Sequence, residues 1–255
     1  MVELTDELRG KVALVTGSTR NIGRATAIEL ARAGASVIIN GVQAESLCEE
    51  VAESIRSEGG QAMPFIADVK DPTAVGNMIE AAIQELGGID IIVHNAAARG
   101  IVPINELEFE TFKNVIDISI LGFFHLVKAA LPSMISRRNG CIVGVGGMAS
   151  TKGAPGRAHV MTAKMGQNAF IRGLAYDLAQ YQIRANQVVV GSFDTERVGN
   201  PSVSAKSPTA NVPIPLGRKG VPQDLANLIR FVVGPGASYI TGETIHCNGG
   251  AYMNL

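Results

Sequence analysis

Apolar positions in this chain come in two alternating rhythms. Short runs rich in β-branched residues fall at Val12–Thr16, Ser36–Asn40, Ala62–Ile66, Ile89–Val93, Cys141–Val145, Ile183–Val190 and Thr244–Cys247. They are apolar on consecutive positions rather than alternate ones, the pattern of strands covered on both faces. Between them, Ile22–Ala33, Ala44–Ser57, Pro72–Leu86, Glu108–Leu131, His159–Ala179 and Pro222–Val233 carry a helical period. Strands alternating with helices of this length predict an α/β fold, a doubly wound and mostly parallel seven-stranded sheet in a single domain spanning 1–255.

One long segment, Ser192–Pro215, lacks either rhythm and is rich in Ser, Pro, Asn and Thr. Loops of this length inside compact domains are usually functional. It follows a strand's C-terminal end, where open α/β sheets bind ligands, and is expected to be a substrate lid. The alternative is an ordinary surface loop.

Composition narrows the class. The chain has 46 % hydrophobic and 18 % charged residues and a net charge of −1, without the basic excess a nucleic-acid or anionic-membrane surface needs. The three cysteines, Cys48, Cys141 and Cys247, form no CxxC pair and fit a reduced setting. Met1–Gly10 lacks the apolar core of a secretory signal, and no apolar run approaches the ~20 residues that span a bilayer. A soluble, cytoplasmic protein is expected, with no nucleic-acid or membrane partner and no metal.

The first strand leads directly into Thr16-Gly17-Ser18-Thr19-Arg20-Asn21-Ile22-Gly23 and then a helix. Glycines at such a turn let the backbone approach a pyrophosphate, and the helix N-terminus offers N–H groups and a favourable dipole. The spacing resembles the TGxxxGxG turn of short-chain dehydrogenases/reductases, with Asn21 for the middle glycine; Asn tolerates positive φ well enough to keep the turn.

The resemblance runs on along the chain. Asp68-Val69 resembles the family's adenine-contacting pair, and His94-Asn95-Ala96-Ala97 its NNAG motif, which borders the cofactor. Asn186 through Thr195 resembles NxVxPGxxxT, with Val190 for the usual proline and Thr195 at a nicotinamide contact. Pro215–Arg218, Tyr239–Gly242 and Asn248–Gly250 also fall where the family has similar residues. The resemblance implies a Rossmann sheet binding a dinucleotide through Gly17, Ser18, Arg20, Asn21, Ile22, Gly23, Asp68, Val69, Asn95, Ala96, Lys164 and Thr195. Strand two ends in Asn40-Gly41-Val42, without the carboxylate that commonly selects NAD. Arg20 is placed to face a 2′-phosphate, so NADP(H) is favoured over NAD(H).

The family's Asn–Ser–Tyr–Lys set is only partly matched. Lys164 stands where the family has the lysine of YxxxK, but Val160 occupies the tyrosine position, Gly147 the serine and Ser119 the asparagine. His159 is a replacement candidate because imidazole titrates near neutrality. At ~100° per residue it lies ~140° from Lys164, so it points inward only if the helix begins after it; otherwise it is structural. Arg157 falls at the tyrosine place of the Tyr-x6-Lys enoyl reductases and suits an enolate, carboxylate or phosphate, or else is a solvated charge. Lys152 has the same two readings. The stretch Asn95–Lys164 also resembles peroxisomal 2,4-dienoyl-CoA reductases, which lack the tyrosine and have His five before Lys, but carry an aspartate where this chain has Ser119.

Three functions follow as expectations. The first is an atypical NADP(H)-dependent reductase of an activated alkene or small carbonyl, with Lys164 orienting the nicotinamide and water held by Ser119 or His159 supplying the proton. The second is a non-redox hydratase or lyase, and the third a dinucleotide-binding pseudoenzyme, which the side-chain-free Gly146-Gly147 wall favours. By resemblance the helices Glu108–Leu131 and His159–Ala179 would build a homotetramer or homodimer. Ala158, Ala163, Gly166, Ala169 and Gly173 would allow close packing there, or would serve an ordinary core face.

Overall fold

The computed structural model describes residues 6–43, 45–195 and 213–253. Seven strands, β1 (Val12–Val15), β2 (Ser36–Gly41), β3 (Gln61–Ile66), β4 (Ile91–His94), β5 (Gly140–Gly147), β6 (Ile183–Val190) and β7 (Thr244–Cys247), form one sheet in the order 3-2-1-4-5-6-7. Every pairing is parallel, so the expected "mostly parallel" sheet is wholly so. The chain reverses its winding direction between β1 and β4, and the crevice for a ligand lies beyond their C-terminal ends.

Helices α1 (Asn21–Arg32), α2 (Glu45–Ser57) and α8 (Pro222–Val233) cover one face. On the other lie α3 (Pro72–Leu86), α4 (Phe109–Ile116), α5 (Gly122–Arg137) and α7 (Ala158–Leu178). Two buried clusters result: Val15, Ile39, Leu30 and Val143 belong to the first, Leu14, Ile38, Ile92 and Phe123 to the second. Adjacent residues of β1 and β2 thus point into different cores, which explains their unbroken apolar runs. Local signals set the ends of α3: the Asp71 carboxylate accepts from Thr73 N at 2.8 Å and Ala74 N at 3.2 Å, Pro72 opens the first turn, and Gly87 ends the helix at φ +85°.

Three features depart from the sequence expectation. Strand β5 runs three residues further in total, because its glycines pair with β6 in register from Gly140↔Ile183 to Gly147↔Val190. The helix expected over Glu108–Leu131 contains a π turn at Asp117–Leu121 and continues to Arg137, and a short helix α6 (Ala149–Lys152) follows β5. The continuous helical stretch Phe109–Arg137 is, by length and hydropathy alone, apolar enough to cross a membrane, which corrects the expectation that no apolar run approaches that length. Its apolar character has a local cause, since Val115, Phe123, Leu126, Val127, Ala130 and Met134 pack into the protein core.

Of the expected lid, residues 192–195 and 213–215 are described; the rest lies outside the described residues.

Candidate active site

The first βα turn is held by strand ends. Thr16 Oγ1 accepts from Asn95 N at 3.1 Å and Ala96 N at 3.0 Å, leaving its own O–H for His94 Nδ1 at 3.3 Å. Asn95 Nδ2 donates to Thr16 O at 3.1 Å and Gly17 O at 3.0 Å. Gly17 takes φ +61° and Asn21 φ +48°, so Asn21 keeps the left-handed conformation as expected. A Cβ on Gly23 would overlap the Gly17 carbonyl oxygen and come within 2.7 Å of Asn95 Nδ2; the turn closes only with glycine there. Arg20 precedes α1 without a side-chain cap, and the helix has no acid in its first turn, a combination that leaves the N-terminal dipole for an anion.

The other turn residues divide by burial. Ser18 is fully buried, and its hydroxyl accepts from Asn40 N at 2.9 Å. Ile22 is in the core, so only its backbone is offered to the crevice. Arg20 is exposed. At the end of β2, a Cβ on Gly41 would meet Cys48 Sγ at 2.9 Å and Thr19 Cγ2 at 3.1 Å. The usual acidic position is therefore filled by neighbours.

Lys164 lies under the C-terminal end of β5. Its Nζ donates to Val145 O at 2.6 Å and Gln167 Oε1 at 3.1 Å. Burial, with the Arg99 charge as a second cause, lowers its pKa to about 7. Gln187 Nε2 donates to Lys164 O at 3.3 Å, and Asn168 Nδ2 to Gln187 Oε1 at 2.5 Å and Thr244 Oγ1 at 2.6 Å. Glycines in β5 make this polar layer fit: a Cβ on Gly144 would overlap Gln167 Nε2, and one on Gly146 would stand 2.9 Å from Gln187 Nε2. Sequence reasoning missed Gln167 and Gln187. The alternating glycines of Gly144-Val145-Gly146 were the available clue, because glycine inside a strand marks close approach.

Beside Lys164 the walls are bare. A Cβ on Gly147 would meet nothing within 4 Å, and Val160 is half-buried. Ser119 sits in the π turn, buried, with no hydrogen-bond partner for its hydroxyl among the described residues; π turns often mark functional positions. His94 is stacked on Phe123, ring centroids 4.8 Å apart. Burial first, then the Lys164 charge, lowers its pKa to about 3 and keeps it neutral.

His159 resolves differently from its expected geometry. Helix α7 begins at Ala158, before the histidine, yet the ring is fully buried. It is covered by the segment after β4: His159 Nε2 lies 3.4 Å from where a Gly100 Cβ would stand, and Val102 N donates to Gly156 O at 2.8 Å. Burial, then the nearby Arg157 charge, lowers its pKa.

The outer residues have structural duties as well. Asp68 Oδ1 accepts from Lys70 N at 3.0 Å, and buried Val69 has its carbonyl 3.1 Å from His125 Nδ1. Asn186 is buried, donating to Ile240 O at 2.9 Å and accepting from Glu243 N at 3.0 Å. Thr195 is half-buried at the end of a described segment.

A parallel sheet with its winding reversal at β1/β4 and a glycine turn opening α1 defines a Rossmann-type α/β protein. Residues 17–252 match a family model described as Enoyl-(Acyl carrier protein) reductase. The chain is 34 % identical over 247 residues to 3-oxoacyl-(acyl-carrier-protein) reductase FabG of Vibrio cholerae serotype O1, covering 96 % of this chain and 99 % of the relative. The FabG of Staphylococcus aureus is 33 % identical over 243 residues, 95 % and 98 % of the two chains. A 3-oxoacyl-(acyl-carrier-protein) reductase of Synechocystis sp. is 33 % identical over 247 residues, 96 % and 98 %. The chain belongs to the short-chain dehydrogenase/reductase family of oxidoreductases.

Proposed function

We propose that the protein is an atypical NADP(H)-dependent oxidoreductase that passes hydride between the cofactor and an activated alkene or small carbonyl, without the tyrosine and serine of its family. One observation carries this reading: the closed glycine turn is kept together with a buried Lys164 bonded to Val145 O near the end of β5, where a Cβ on Gly147 would meet nothing within 4 Å. The closed Gly17–Gly23 turn and the uncapped α1 fit a pyrophosphate. Gly17, Ser18, Asn21, Ile22 and Gly23 would hold it through their backbone, and Ser18 sets the turn on Asn40. Arg20 would face the 2′-phosphate and Asp68 with Val69 the adenine. Asn95, Ala96, Lys164 and Thr195 would border the nicotinamide riboside.

NADP(H) over NAD(H) is supported by exposed Arg20 and by the space at Gly41 that Cys48 and Thr19 leave too small for a carboxylate. When bound, the cofactor supplies or accepts the hydride. In our reading Lys164 orients its ribose and presents a positive field to a developing enolate. Ser119, its hydroxyl buried without a partner, holds the water that gives the proton. Hydride addition to an activated alkene leaves a delocalised enolate that can persist until water protonates it. Hydride addition to a plain ketone builds a localised alkoxide that needs a proton donor already in place, which favours the alkene. His159 has no open route to solvent and serves the cleft wall rather than proton transfer.

Relatives named as acyl-carrier-protein reductases make a cytoplasmic setting and a single domain over 1–255 the natural reading, with 192–215 as lid. The exposed apolar residues Phe109, Phe124 and Met165 support a homotetramer or homodimer through α4, α5 and α7. Ala163 is fully buried and so serves the protomer's own core, while Gly166 is exposed and a Cβ there would meet Ile120 Cδ1 at 2.9 Å.

The hydrogen bonds that hold Lys164 on Val145 O and Gln167 favour a second reading, a binding protein without turnover. Titration of the purified protein with NADPH and with NADH, followed by cofactor fluorescence, tests both; the chain has no tryptophan to interfere. Tight NADPH binding and its oxidation by enones support the reductase. Binding without oxidation across enones, enoyl thioesters and ketones supports the second reading, and no binding of either cofactor refutes both.

A further inference from the structure

Lys164 is held from two sides. Its Nζ donates to Val145 O at 2.6 Å and to Gln167 Oε1 at 3.1 Å. Gln167 lies nearly one turn further along α7, on the same helix face, and is fully buried. Its Nε2 has no hydrogen-bond partner among the described residues. A buried amide with an unused donor is costly, and an apolar side chain of the same length would avoid that cost. Strand β5 also gives way to the amide: a Cβ on Gly144 would overlap Gln167 Nε2 and stand 3.1 Å from its Cδ. The fold makes room for a polar group where packing alone asks for an apolar one.

The donor count of the amine gives a reason. A neutral amine has two N–H groups, and Val145 O with Gln167 Oε1 would take both. The ammonium has three, so only the charged form keeps one for a ligand in the crevice. Burial and the Arg99 charge work against that form. Of the other groups around it, His94 on β4 is buried and neutral near pH 7, Asp117 of the π turn is paired with Lys113, and Lys152 on α6 is exposed. From β6 comes the Gln187 amide, whose Nε2 donates to Lys164 O rather than accepting from Nζ. We propose that Gln167 is a positioning residue for Lys164: its amide oxygen fixes Nζ against β5 and keeps the amine in its three-donor form, in a gap that Gly144 leaves in the strand. On the reductase reading the third N–H meets a cofactor hydroxyl. The inference rests on that reading for its purpose, but the positioning itself is measured without cofactor.

The test follows the Lys164 Cε resonance against pH by NMR in protein carrying isotope-labelled lysine, the resonance being identified by its loss in Lys164→Met. Gln167→Met keeps the length and removes the acceptor, and should lower the titration midpoint by roughly one pH unit. Gln167→Glu sets a carboxylate against Nζ and should raise it by roughly one unit or more. Gly144→Ala, which displaces the amide, should lower it as Gln167→Met does. Urea unfolding reports whether each variant is folded, and either Gln167 variant alone decides the matter. A packing role would change stability and leave the midpoint in place. A midpoint that stays within about 0.3 pH unit in a folded Gln167 variant, or one that rises in Gln167→Met, overturns the proposal. NADPH titrations over the same pH range separate the two readings. Binding that weakens above each protein's own midpoint joins the amine to the cofactor. A midpoint that moves while NADPH binding fails to follow it, or is absent, keeps the positioning role and removes Lys164 from the cofactor site.

Discussion

Lys164→Met should stabilise the protein most where the lysine is charged. The folded-state pKa is lowered to about 7 from the ordinary lysine value of 10.5, chiefly by burial. Below pH 7 both the folded and unfolded chains hold the proton, and the full cost of burying the charge is present. Between pH 7 and 10.5 only the unfolded chain holds it, so that cost fades as pH rises. By linkage the lysine costs roughly 5 kcal/mol at pH 6 and about 2 kcal/mol at pH 9. The variant also loses the bonds to Val145 O and Gln167, about 1 kcal/mol each, at every pH. The difference between the two pH values, about 3 kcal/mol, therefore isolates the titration. Urea unfolding of both proteins at pH 6 and pH 9 measures it. A stability difference that is flat across that range would show Lys164 with an ordinary pKa and refute the reasoning from its burial.

Gly23→Ala should weaken NADPH binding by more than about tenfold, since its Cβ overlaps the Gly17 carbonyl oxygen, and should cost roughly 1–3 kcal/mol in unfolding; unchanged binding would separate the turn from the cofactor. Gly147→Ser/Val160→Tyr should raise ketone reduction by roughly 10²–10⁴-fold, because the space at 147 is open; a variant that binds NADPH yet gains nothing would mean that the missing side chains are not what limits the protein. Gly41→Asp alone should destabilise by roughly 1–3 kcal/mol through Cys48 and Thr19. Adding Cys48→Ala should restore stability and improve NADH binding relative to NADPH, read by paired fluorescence titrations.

The fold was legible because its signals are local. Consecutive apolar runs such as Val12–Val15 and Ser36–Gly41 report burial on both faces, and Asp71-Pro72 with Gly87 mark a helix's ends without reference to anything distant. The glycine turn was legible for the same reason, and Asn21 kept its positive φ as its side chain predicts. Boundaries were less so at Asp117–Leu121, a π turn that α7 approaches closely enough for a Cβ on Gly166 to meet Ile120 Cδ1 at 2.9 Å.

The candidate site divides along the same line. Periodicity alone gave the parallel sheet, and motif spacing located Gly17 and Asn95 after strands and Gly23 and Lys164 on helices, since each depends only on its position along a strand or helix. The tertiary structure decided which side chains are free to act. It turned Ser18 inward onto Asn40, tied Lys164 to Val145 and Gln167, and buried His159 under a segment some sixty residues away in sequence. Helical angle placed His159 away from Lys164 but said nothing of what covers it. Burial, and with it the pKa and reach of a side chain, is set by whatever distant segment the fold brings against it, and no local pattern carries that information.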